Sequence, residues 1–117
     1  MKVTVTRDSF PLAEVFTISR GSRTEAKVLT VTVEAGGATG RGECVPYARY
    51  GETMDSVAAQ LEAAHGDPAA LPPGAARNAL DCALWDLRAK QGGVRAWTLT
   101  GLPRPDPVTT AFTLSLD

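Results

Sequence analysis

The sequence predicts an α+β domain in which a three-stranded antiparallel meander is followed by helices. Three observations support this. β-branched residues alternate with polar ones along the first third, Gly36-Gly37 separates two such runs, and apolar residues in the second half recur at helical spacing.

Val3 and Val5 alternate with Lys2, Thr4 and Thr6, the pattern of a half-buried strand. Pro11 interrupts it, and Val15 to Ile18 resumes extended character. Ala26 to Glu34 is the clearest strand, dominated by Val and Thr. Gly36-Gly37 tolerates the positive φ angles of a tight hairpin, so the return strand runs from Ala38 to Val45 and ends at Pro46. Pro46 to Glu52 lacks periodicity and holds both tyrosines, which reads as a loop.

Thr53 is a suitable N-cap, with Asp55 favouring the helix dipole behind it. Val57, Leu61 and Ala64 mark one face of a helix that reaches His65 and stops at Gly66-Asp67-Pro68. After the turn-forming Leu71-Pro72-Pro73-Gly74, a second helix runs from Ala75 to Gln91. Ala76, Leu80, Ala83, Leu84 and Leu87 give its buried stripe, and Gly92-Gly93 its stop. The alanines at 75, 76, 79 and 83 imply close approach to another element. Trp97 and Leu99 form a short helical turn closing at Gly101. Pro103 to Pro107 reads as a linker, and Val108 to Asp117 as a new strand. A strand needs a partner for its backbone groups, and the linker assigns this one to a second domain. The expected division is 1–107 and 108–117.

Composition narrows the function. Charged residues make up 21% of the chain and nearly cancel to −1, so nothing attracts nucleic acid. No apolar run is long enough to cross a bilayer. The polar alternation of the first residues does not fit a signal peptide, which points to the cytoplasm. Cys44 and Cys82 have no neighbouring ligands at zinc spacing and read as buried free thiols.

Chemistry-bearing residues are sparse. His65, the single histidine, reads as a surface residue at a helix end. Gly40-Arg41-Gly42 lies in a hairpin, not between a strand and a helix, and does not fit a phosphate loop. The acids show no divalent-metal spacing. Asp81 reads as satisfied by a backbone or Arg partner, and Glu43 as a buried carboxylate bonded to loop amides. Arg20-Gly21-Ser22-Arg23 and Arg49-Tyr50 stand out as basic loops, since guanidinium holds a carboxylate bidentately; the plainer reading of the residues alone is solvated loop charges.

The segment Gly-Arg-Gly-Glu-Cys-Val-Pro at 40–46, with Ala-Ala-Arg-Asn-Ala-Leu-Asp-Cys-Ala-Leu-Trp-Asp-Leu at 75–87, resembles the N-terminal domain of the enolase superfamily, muconate-lactonizing subgroup. Arg20 to Arg23 and Glu43 to Glu52 are similar more narrowly to the dipeptide epimerases of the L-Ala-D/L-Glu type, which act on murein peptides. The resemblance implies a capping domain whose loops, about Phe16 to Glu25 and Pro46 to Thr53, close over a small acidic dipeptide at the mouth of a C-terminal TIM-type barrel. It implies Arg23 as the residue meeting the side-chain carboxylate, with Arg20 and Tyr50 as further substrate contacts, and Val108 to Asp117 as the first barrel strand. Mg²⁺ and the paired lysine bases belong to the barrel, which needs about 250 residues. Lys2, Lys27 and Lys90 do not match the Lys-x-Lys motif, so no catalytic residue and no metal are expected on this chain, and a homo-oligomer is expected. The same residues also admit a stand-alone α+β binding or dimerisation module. Within the resemblance, a cycloisomerase, an o-succinylbenzoate synthase or an N-acylamino acid racemase remain alternatives.

Overall fold

A computed structural model describes residues 1–19 and 21–114. Strands β1 (Lys2–Ile18), β2 (Gly21–Ala35) and β3 (Ala38–Cys44) form one antiparallel sheet in the order β1-β2-β3. Helices α1 (Met54–Ala63), α2 (Ala75–Gln91) and the short α3 (Ala96–Leu99) follow, with single 3-10 turns at Ala48–Tyr50 and Pro68–Ala70. The expected meander and helices are both present.

The first two strands are longer than expected. β1 pairs with β2 from Lys2↔Glu34 to Pro11↔Glu25, shifts register, and resumes from Phe16↔Arg23 to Ile18↔Gly21. Pro11 is tolerated because β1 lies at the sheet edge, where a missing N–H need not break a ladder bond. Gly21 to Arg23, read as loop, thus form the start of β2 at the tip of a long ribbon. Thr17 and Ser22 face each other there, with their hydroxyl oxygens 2.9 Å apart. At the other end Gly36 and Gly37 take φ of 57° and 77°, as the tight hairpin requires.

The helices cover one face of the sheet. Leu29, Val31 and Val33 from β2 bury fully against Val57 and Leu61 of α1 and Leu80 and Ala83 of α2. The alanine-lined side of α2 does approach another element, and that element is β3. A Cβ on Gly40 would lie 2.1 Å from the Ala83 carbonyl oxygen, and one on Gly42 2.0 Å from that of Ala79. The glycines therefore serve helix-on-strand packing. Polar bonds fasten the same contact from outside: Asp86 Oδ2 accepts from the Arg41 amide at 2.8 Å and from Lys90 Nζ at 2.6 Å, and Lys90 also reaches the Thr39 carbonyl at 3.0 Å. The backbone-bound acid of α2 is Asp86; Asp81 is exposed.

α1 starts with a reciprocal cap. Thr53 Oγ1 accepts from the Ser56 amide at 3.0 Å, while Ser56 Oγ accepts from the Thr53 amide at 2.9 Å. The helix ends at Ala63, and His65 lies beyond it at φ 48°. Cys44 is buried, but Cys82 is exposed on the outer side of α2, because the buried stripe passes through Leu80, Ala83 and Leu84 instead. Val108 to Leu114 join no ladder of this sheet and are exposed; Ser115 to Asp117 lie outside the described residues.

Candidate functional site

The ribbon tip and the segment after β3 come together. Ser22, Arg23 and Lys27 of β2 line a cleft of about 420 Å³ with Val45, Pro46 and Met54. A second, narrower cavity of about 210 Å³ lies between Phe16, Ile18, Arg23 and Tyr47. Arg23 borders both. It is brought there because β2 extends past the irregular register, opposite Phe16 of β1. Among the described residues no salt bridge ties up its guanidinium. The cleft also holds Glu25, paired with Lys27 at 2.9 Å. Hydrogen bonding from the Ser9 hydroxyl, then from Lys27, holds the Glu25 carboxyl below its usual range. This cleft therefore carries two cations against one fixed anion, with apolar walls from Val45, Pro46 and Met54.

Arg20, expected beside Arg23, lies outside the described residues. Tyr50, the other expected contact, is 76% exposed and borders a different groove with Glu52 and Pro73. Its ring packs on Tyr47, centroids 5.7 Å apart at 59°. It is Tyr47, not Tyr50, that shares the smaller cavity with Arg23, and nothing in the local pattern distinguishes the two tyrosines.

Glu43 is exposed, because the alternation of β3 buries Gly42 and Cys44 and turns residue 43 outward. The carboxylate that binds loop amides is Glu52, which accepts from the Tyr47 amide at 3.1 Å and the Ala75 amide at 2.8 Å. One signal pointed to it: α2 begins after Gly74, which has no capping side chain, and has no acid in its first turn. Burial, followed by the charges of Glu52 and Glu43, pushes the Cys44 thiol up to about 11. That thiol is no nucleophile. Among the described residues no three His, Cys, Asp or Glu side chains converge.

Residues 1–101 match the family of mandelate racemase / muconate lactonizing enzyme N-terminal domains. An L-Ala-D/L-Glu epimerase of Escherichia coli (strain K12) is 44% identical over 122 aligned positions, covering 96% of this chain and 38% of that protein. An enolase family member from Agrobacterium tumefaciens with homology to dipeptide epimerases, solved with sodium, L-Ala-L-Glu and an ordered loop, superposes with a TM-score of 0.86 at 48% identity. The match covers 98% of this chain and 38% of that one. A dipeptide epimerase from Cytophaga hutchinsonii complexed with Mg and D-Ala-L-Val superposes at 0.82 with 25% identity, over 98% and 36%. The chain spans less than two-fifths of the length of these relatives.

Proposed function

The chain belongs to the mandelate racemase/muconate lactonizing enzyme family as an N-terminal domain, and from that premise we propose that it is the substrate-specificity cap of a dipeptide epimerase of the L-Ala-D/L-Glu type. The observation that carries this reading is the cavity at which Arg23 and Tyr47, from two separate segments, face one space. An arginine with no salt bridge among the described residues, beside apolar walls, suits a dipeptide whose second side chain ends in a carboxylate. L-Ala-L-Glu is the ligand held by the Agrobacterium relative.

Epimerisation removes the proton from the carbon α to a carboxylate and returns it on the other face. It needs a base on each face and a positive charge to hold the enediolate. Residues 1–107 would select and cover the dipeptide, while a barrel domain beginning near Val108 supplies the bases and holds magnesium. The exposed Val108, Phe112 and Leu114 then pack within that barrel, and in the isolated chain they drive association. The free thiols Cys44 and Cys82 suit the cytoplasm.

The 117-residue chain, incubated with Mg²⁺ and L-Ala-L-Glu in deuterium oxide, is expected to incorporate no deuterium at Cα while remaining folded by circular dichroism. Exchange catalysed by this chain alone would contradict the division of labour.

A further inference from the structure

We propose that Glu52 is the positioning residue of the recognition cavity: its carboxylate fastens the 46–53 segment to the start of α2 and so sets where Tyr47 stands relative to Arg23. Its two oxygens are divided between two amides, Tyr47 at 3.1 Å and Ala75 at 2.8 Å. Ala75 opens α2, where Gly74 cannot cap, and an anion is favoured at that helix start. Tyr47 precedes the 3-10 turn in extended backbone, φ −122° and ψ 116°.

The chain brings Glu52 back to Tyr47 by a tight reversal. The Tyr50 amide donates to the Tyr47 carbonyl at 2.9 Å, and the Gly51 amide to the Ala48 carbonyl at 3.0 Å. Gly51 takes φ 73°, a conformation that side chains disfavour. The residue after Glu52, Thr53, caps α1. Gly74 leaves just enough room, since a Cβ there would lie 2.9 Å from Glu52 Oε1. One side chain thus joins the Tyr47 backbone to the start of α2, and the main chain of Glu52 runs directly into the cap of α1. Releasing that side chain removes the tie between the Tyr47 amide and the start of α2, so that the Tyr47 ring shifts relative to Phe16 and Arg23. The identity of the cavity's ligand rests on the proposed function; the linkage itself does not.

Amide exchange and chemical shifts in the isotope-labelled chain test this. Glu52→Gln keeps a carbonyl for one amide and sets an NH₂ group against the other. Exchange at Tyr47 or Ala75 is expected to quicken by about tenfold or more, and the Ser22 and Arg23 amides across the cavity to shift, while Val31 and Leu80 stay unchanged. Glu52→Asp, which keeps the charge but leaves the carboxylate one methylene short of the two amides, should give the same pattern and decides the matter if Glu52→Gln does not fold. Shifts confined to the first turn of α2, with Ser22 and Arg23 unmoved, would reduce Glu52 to a helix cap and overturn the proposal. In the complete enzyme, Glu52→Gln should raise KM for L-Ala-L-Glu by roughly threefold to tenfold with kcat nearly kept. Amide changes with no change in KM uphold the linkage and count against the cavity as the dipeptide site.

Discussion

The contact of α2 with β3 and the cavity between the ribbon tip and the 46–53 segment are held together by different means. In the first, backbone meets backbone: Gly40 and Gly42 lie under the carbonyls of Ala83 and Ala79, and Leu80, Ala79 and Ala83 are fully buried. In the second, half-buried Phe16 and Tyr47 and exposed Arg23 border open space, and the segment is tied down by the Glu52 carboxylate. A contact of the first kind tolerates almost no change of volume. One of the second kind has room to reshape around a ligand with little effect on folding.

The largest expected effect probes the dense contact. Gly42→Ala places a methyl group 2.0 Å from a helix carbonyl that cannot rotate away, and should destabilise the domain by about 3 kcal/mol or more in urea unfolding. Gly37→Ala meets no atom within 4 Å and carries only its φ of 77°, so it should cost about 1–2 kcal/mol. Equal losses for the two would erase the distinction between a packing glycine and a turn glycine.

The cysteines sharpen the same comparison by a smaller effect. Cys44 is raised from 9.0 to about 11 in the folded chain, so the unfolded chain ionises first. Its contribution to stability is full below pH 9.0 and is lost as pH rises through about 11, a decline readable from urea midpoints against pH and absent in Cys44→Ser. At neutral pH a thiol reagent should modify exposed Cys82 and spare Cys44 until unfolding. The smallest effect on stability belongs to the cavity: Arg23→Ala should change the unfolding free energy by less than about 0.5 kcal/mol, because its side chain lies on the surface.

What the sequence made legible follows the same division. α2 begins and ends where its apolar spacing and Gly92-Gly93 place it, and the Gly36-Gly37 hairpin needs only local information. The length of β1 was hidden because Pro11 breaks a strand locally, whereas an edge position and a register shift accommodate it. The exposure of Cys82 escaped because apolar neighbours in sequence are not neighbours on a helix face. At the cavity Arg23 was legible as chemistry on a loop. Tyr47 and Glu52 were not, because their roles depend on a bond to Ala75 and on a ribbon tip that local pattern does not place.

The most direct measurement compares kcat/KM for L-Ala-L-Glu with that for a neutral dipeptide in the complete enzyme carrying Arg23→Ala. A ligand-selecting lid predicts that KM for the acidic dipeptide rises roughly tenfold or more, that kcat hardly moves, and that the neutral dipeptide is unaffected. Equal losses for both substrates, or none for either, would contradict it.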